Sequence, residues 1–111
     1  VEIVVEARGP DVAVIRTTGR LDLGSAAAVR ECLRAAVAAG QRHLVVDLAA
    51  TTFIDSTGLR ALVDGLTAAR RAGGDVRLAR PNVQARLILE YTALDRVLRP
   101  YDTVEQALDG R

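Results

Sequence analysis

The apolar run His43-Leu44-Val45-Val46-Asp47-Leu48 gives way to the polar triplet Asp55-Ser56-Thr57, and then to a helix-period stretch from Leu59 to Ala72. A nearly continuous apolar run is the mark of a central strand buried on both faces. In the stretch that follows, Leu59, Leu62, Val63, Leu66 and Ala69 form one stripe at helical spacing. The junction is therefore expected to be the carboxyl end of a strand passing into the amino end of a helix. Unpaired backbone N–H groups and the helix dipole favour negative charge at such a point.

Asp55, Ser56 and Thr57 are all good helix caps, yet a helix has a single N-cap position. Two of the three are surplus to local structure. The triplet reads either as a generous cap and turn or as an exposed serine hydroxyl placed where a phosphate is tolerated. A phosphoserine adds about −1.5 to −2 charges and three acceptor oxygens, so it can alter a surface without unfolding the domain.

The rest of the chain supplies layers around this junction. Glu2 to Ala7 and Val12 to Thr18 are β-branched stretches on either side of Arg8-Gly9-Pro10-Asp11, which has turn chemistry, and they predict a hairpin. The stretch Gly19-Arg20-Leu21-Asp22-Leu23-Gly24 is expected to break the pattern as a loop, with Ser25 capping a first helix. Val29, Cys32, Leu33, Ala36 and Val37 give that helix an inner face, and Gly40 stops it. Asp47 is expected at the end of the central strand, accepting backbone or loop hydrogen bonds rather than acting in catalysis.

Gly73-Gly74 ends the second helix, and Asp75 to Ala79 alternates as a strand. Pro81-Asn82 begins a third helix whose inner face is assigned to Val83, Leu87, Ile88 and Tyr91, and Arg96-Val97-Leu98-Arg99 is assigned to a short strand. Asp102 and Thr103, with Glu105 and Gln106 three residues beyond each, offer two registers of capping box for a last helix through Leu108. Two strands followed by alternating helix and strand predict an α/β domain: a mixed β-sheet with a parallel part, faced by about four helices.

Composition excludes several functions. The 111 residues suit one domain, 1–111, with a modest core. The net charge is +1 with dispersed arginines, and aromatics make up 3 % of the chain, so neither a basic patch nor stacking platforms for direct nucleic-acid binding are expected. No apolar run approaches a membrane span and no secretory leader is visible, which points to a cytoplasmic protein. The absence of methionine suggests that the chain was trimmed or cut from something longer. Cys32 is the sole cysteine and His43 the sole histidine, so no internal disulfide and no ordinary zinc site are expected.

Neither catalysis nor a cofactor is expected. His43 precedes the central strand and Ser56 follows it, so a hydrolytic pairing of the two is blocked by the length of the strand. No Gly-x-Ser-x-Gly elbow, phosphate-binding Gly-Lys-Ser/Thr loop or Gly-x-Gly-x-x-Gly is present, and the chain has no lysine.

Three segments together resemble the anti-sigma factor antagonist family, the small bacterial members of the STAS domain group. They are Gly19-Arg20-Leu21-Asp22, then Val46-Asp47-Leu48 leading to Phe53-Ile54-Asp55-Ser56-Thr57-Gly58-Leu59, and Glu90-Tyr91-Thr92-Ala93-Leu94-Asp95-Arg96-Val97-Leu98. The resemblance implies that Ser56 is phosphorylated by an ATP-dependent serine kinase that doubles as an anti-sigma factor. It implies further that the unphosphorylated chain binds that kinase and frees a sigma factor, and that a PP2C-type phosphatase resets the switch.

Three positions depart from the family pattern. Arg20 stands where an acid is common, Thr57 where a second serine is frequent, and Ala93 where a glycine is common. A left-handed alanine is strained, so a different helix end is expected at Ala93. The partner surface is placed on Arg20 and Asp22 of the first loop and on Asp55, Thr57, Gly58, Leu59 and Arg60 around Ser56. Leu59 reads equally as core or as partly exposed. The competing expectation is a STAS scaffold, within a stress-signalling complex or on a lipid-transport ATPase, that binds its partner without a kinase cycle.

Overall fold

The computed structural model describes residues 1–109; Gly110 and Arg111, the last two of the expected domain, lie outside the described residues. Five strands, β1 (Glu2–Ala7), β2 (Val12–Leu21), β3 (His43–Ile54), β4 (Asp75–Ala79) and β5 (Pro100–Tyr101), form one sheet in the order β1-β2-β3-β4-β5. The β1–β2 hairpin is antiparallel and the remaining pairings are parallel, which makes the sheet mixed as expected. The helices are α1 (Ala26–Ala38), α2 (Ser56–Arg71), α3 (Val83–Tyr91) and α4 (Val104–Asp109).

Burial divides along the two faces of the sheet. Ala13, Ile15, Leu44, Val46, Val76 and Leu78 point to one side and pack with α1, α2 and α3 in the main core. Val14, Val45 and Ala79 point to the other and meet Val104 and Ala107 of α4. This explains why the central run reads as continuously apolar, since alternate residues of β3 enter different cores. Helices α1 and α2 approach closely at Gly65, where an added Cβ would stand 3.0 Å from Leu33 Cβ.

Both central strands are longer than the sequence suggests. Gly19 and Arg20, assigned to a loop, continue β2, and Thr51 to Ile54 continue β3, with register shifts between Arg16 and Thr18 and between Gly19 and Arg20. The buried Thr17 and Thr51 hydroxyls bridge the two strands at 2.6 Å, and Thr51 Oγ1 also lies 3.1 Å from the Thr17 carbonyl. Those side-chain bonds stabilise polar backbone that would otherwise read as loop. Asp47 consequently lies inside β3 rather than at its end; it is where the pairing with β4 stops, opposite Ala79.

Beyond that point side chains of the α3 region bond the open edge of β3. Asn82 Nδ2 donates to the carbonyls of Thr51 and Thr52, each at 3.3 Å. Gln84 accepts from Ile54 N at 2.9 Å and donates to Ile54 O at 2.7 Å, as a neighbouring strand would. Asn82 also caps α3 by accepting from Ala85 N at 2.8 Å.

This anchoring turns α3 away from its predicted orientation. Ala85 and Leu89 are buried and Ile88 is partly buried, whereas Val83, Leu87 and Tyr91 are 74 %, 61 % and 90 % exposed. With Asn82 and Gln84 bonded to β3, the following helix presents the Ala85-Ile88-Leu89 face inward. The expected strand at Arg96–Arg99 is likewise corrected: Leu94–Arg96 form a 3-10 turn, Leu98 is buried, and the strand is Pro100–Tyr101, pairing with Leu78 and Ala79. Ala93 is left-handed at φ 60° despite its side chain, so the expected change of helix end does not occur. Its N–H donates to Glu90 O at 3.1 Å, and the Leu94 carbonyl accepts from Val97 N and Leu98 N, which fixes the turn on both sides. At the last helix the Thr103 register caps: Thr103 Oγ1 accepts from Gln106 N at 3.0 Å, while Gln106 Oε1 accepts from Asp102 N at 3.2 Å.

Candidate functional site

Ser56 is the first residue of α2, exposed at the end of the longest strand. Asp55 is the N-cap, and its carboxylate accepts from Gly58 N at 2.9 Å. The capping task therefore falls to Asp55 alone. The Ser56 hydroxyl has no hydrogen-bond partner among the described residues, so it is available for chemistry at no local structural cost.

The junction is held from two sides. Gln84 grips the backbone of Ile54. On the other side Asp55 N donates to Leu21 O at 3.2 Å, and the first turn of α2 rests on that same peptide at Gly58. A Cβ on Gly58 would lie 2.7 Å from the Leu21 carbonyl carbon, closer than such atoms approach, so glycine is needed there for the close packing itself. The end of β2 and the start of α2 are thus one unit.

That unit carries the β2–α1 loop with it. Asp22 accepts from Gly24 N at 3.1 Å and from Arg20 Nε at 3.2 Å. Ser25 stands at the N-cap of α1 but caps no helical N–H. Its Oγ instead donates to Arg20 O at 2.8 Å and accepts from Asp22 N at 3.0 Å, closing the loop on itself. The Arg20 guanidinium lies over the Phe53 ring, 4.4 Å from its centroid. A cation there is stabilised by the ring face and by Asp22 together.

Of the residues predicted around Ser56, Arg20 and Arg60 are exposed, while Asp22, Asp55 and Thr57 are half-buried. Gly58 is buried and Leu59 is 3 % exposed, so of the two readings of Leu59 the core one holds, although Leu59 also lines the groove beside Ser56. Gly58 is covered by the Leu21 peptide, and Leu59 joins the main core. The sequence reading passed over Leu23, which is 78 % exposed between Asp22 and Gly24. An apolar residue flanked by a polar residue and a glycine carries no periodic signal by which to find it.

A groove of about 550 Å³ runs from Ser56 along α2 to the end of α3, with Val63 and Leu94 among its apolar lining. Arg60 and Asp64 are the charged side chains that line it. Arg60 Nε lies 3.4 Å from Asp64 Oδ1, and Arg30 Nε of α1 lies 3.0 Å from Asp64 Oδ2. One carboxylate thus holds two guanidinium groups.

Asp47 forms a separate charged centre on the α4 face. It is 2 % exposed and meets Arg80 Nε at 3.1 Å, Arg80 Nη2 at 2.5 Å and Arg16 Nε at 3.5 Å. Burial alone raises the pKa of its carboxyl; the Arg80 hydrogen bond, the Ala49 N–H and the charges of Arg80 and Arg16 outweigh that and hold it below the ordinary 3.8. The arrangement is an ion-paired strand residue with its hydrogen bonds satisfied. Cys32 is half-buried against the main core, and burial pushes its thiol pKa up, away from the reactive thiolate.

His43 starts β3 and Ser56 follows its far end, so the two lie at opposite ends of a 12-residue strand. No group of three or more His, Cys, Asp or Glu residues is placed to hold a metal ion among the described residues. No helix among them is long and apolar enough to cross a membrane.

Comparison with known proteins places this geometry in a family. The chain is 35 % identical over 102 residues to the anti-sigma-F factor antagonist RsfB of Mycobacterium tuberculosis, covering 89 % of this chain and 80 % of that protein. The crystal structure of an anti-sigma factor antagonist from Mycobacterium paratuberculosis superimposes with a TM-score of 0.86 at 28 % identity, covering 98 % of this chain and 92 % of that one. The Bacillus cell fate determinant SpoIIAA in its phosphorylated form shares the fold, with a TM-score of 0.76 at 20 % identity and 98 % of each chain covered. The family model of the STAS domain matches residues 3–107, and the chain belongs to the STAS domain family.

Proposed function

We propose that this chain is an anti-sigma factor antagonist that works as a phosphorylation-switched binding module, with Ser56 as the switch. The observation that carries the proposal is the division of labour at the start of α2. Asp55 supplies the cap, which leaves the adjacent Ser56 hydroxyl exposed and unbonded. The relatedness to RsfB and the phosphorylated state of the structurally similar SpoIIAA support the same reading.

In the unmodified state the surface around Ser56 binds an anti-sigma factor that is also an ATP-dependent serine kinase, and a sigma factor is freed. The kinase transfers the γ-phosphoryl group of ATP to Ser56. The Oγ–phosphorus bond forms, the bond to the bridging oxygen of ADP breaks, and the serine proton passes to a base on the kinase. A PP2C-type phosphatase hydrolyses the ester with water and restores the hydroxyl. The chain contributes the acceptor and the docking surface, and catalysis belongs to its partners.

The phosphate adds about −1.5 to −2 charges beside the Asp55 carboxylate. A contact matched to a neutral hydroxyl then meets like charge and a desolvation cost, a mismatch that costs several kcal/mol in binding. The protein is expected in the cytoplasm, where ATP, the kinase and sigma factors meet.

The test is calorimetric titration of the cognate kinase-type anti-sigma factor with the unmodified chain and with the chain carrying phosphoserine at 56. Affinity is expected to fall at least ~100-fold on modification, equivalent to about 2.7 kcal/mol. Equal affinity of the two forms would overturn the switch and favour the scaffold reading.

A further inference from the structure

A phosphate on Ser56 arrives beside a carboxylate that already shares the start of α2. The Asp55 carboxylate takes the Gly58 N–H and sits in the favourable field of the helix end. Arg20, the cation at the end of β2, is engaged by Asp22 and the Phe53 ring. Arg60 is differently placed: it lies one helical turn after Ser56, and both residues line the same groove.

Its present partner holds it weakly. The Arg60 side chain is 74 % exposed, and its contact with Asp64 is 3.4 Å long. That contact runs from a base at position i to an acid at i+4, the poorer orientation on a helix, whereas an acid at i with a base at i+4 is the better one. A phosphate on Ser56 with Arg60 has that better orientation and a larger charge. Asp64 does not suffer from the exchange, because Arg30 Nε remains 3.0 Å from its other oxygen.

Resting on the assignment of Ser56 as the modified residue, we propose that Arg60 is a built-in phosphate-binding residue that leaves Asp64 to pair with the phosphorylated serine, while Arg30 keeps Asp64 neutralised. The exchange removes the Arg60 cation from the face offered to a partner at the moment the phosphate arrives. Modification thereby changes the docking surface at two positions, Ser56 and Arg60, one turn apart.

The experiment uses the 111-residue chain with phosphoserine incorporated at position 56 during translation, so no kinase is involved. The phosphate is titrated by phosphorus NMR in the otherwise unaltered chain and in Arg60→Gln, Arg60→Lys and Arg34→Gln, with folding checked by circular dichroism. Arg34 is an exposed arginine of α1, so its loss matches the change in net charge. The second ionisation of the phosphate is expected to rise by about half a pH unit or more in Arg60→Gln, as loss of a paired cation requires. Arg60→Lys should recover part of that rise and Arg34→Gln should show none.

Identical titration in Arg60→Gln and the unaltered chain would overturn the pairing. So would an equal shift in Arg34→Gln, which would mean a diffuse field. The calorimetric comparison of modified and unmodified chain reports separately on the switch, so either idea can fail with the other left standing.

Discussion

Gly58 rests on the peptide of Leu21, with room for a hydrogen but not for a methyl group: a Cβ would stand 2.7 Å from the Leu21 carbonyl carbon and nearer still to its oxygen. Through this contact, and through the bond from Asp55 N to Leu21 O, the end of β2 sets the position of Ser56. Gly58→Ala is expected to destabilise the domain by about 1–3 kcal/mol through overpacking against backbone. Thermal unfolding checks it, and an unchanged midpoint would show that the helix start is not seated on β2.

Gln84 is expected to act on the same junction from the other side. Its side chain makes both hydrogen bonds to the backbone of Ile54, at 2.9 and 2.7 Å. Gln84→Ala leaves those groups unpaired and should cost about 1–3 kcal/mol. Hydrogen exchange at the Ile54 amide should accelerate by more than the global loss of stability accounts for. Exchange that tracks global stability alone would assign Gln84 no local role.

The Asp47 pair should show a pH signature of definite sign. The native carboxyl is held below its ordinary 3.8, so the unfolded chain binds the proton more readily. The stabilisation is complete above the ordinary value and is lost as the pH falls below it, through the lowered native value. The stability read from denaturant unfolding should therefore fall less between pH 6 and pH 2 in Asp47→Asn than in the parent. Arg80→Ala should cost more than Asp47→Asn, about 1.5–3 kcal/mol, because it leaves a carboxylate that is 2 % exposed with only the Ala49 N–H and the longer Arg16 contact, whereas a freed Arg80, 48 % exposed, rehydrates. The reverse order would contradict this account of the pair.

Ala93 holds a left-handed conformation at φ 60° that glycine adopts without penalty. Ala93→Gly should raise stability by roughly 1 kcal/mol, seen as a thermal midpoint a few degrees higher. A lower midpoint would mean that the alanine methyl contributes packing that outweighs the strain.

The sequence made the layers and the junction legible because each rests on local pattern. The stripe of α2 and the apolar run of β3 repeat at the periods of their elements, and Asp55 is a cap by chemistry and position. What escaped depends on distant partners. Gly19 reads as a loop residue, and Thr51 lies beyond the apolar run ending at Leu48, until the Thr17–Thr51 hydroxyl pair ties the two strands. The face of α3 is not legible in the sequence because Val83, Leu87 and Tyr91 form as good an apolar stripe as Ala85, Ile88 and Leu89, and only the attachment of Asn82 and Gln84 to β3 decides between them. At the site, Ser56 was legible from its neighbours. The inward turn of Leu59 and the sharing of Asp64 by Arg30 and Arg60 follow from packing between elements.

The most direct measurement recovers the protein from its own cells under conditions that preserve complexes, maps phosphate by mass spectrometry and identifies the bound partners. The switch predicts phosphate on Ser56, and an ATP-binding serine kinase with anti-sigma activity bound to the unmodified fraction alone. An unmodified Ser56 in a stable complex that lacks such a kinase would contradict it.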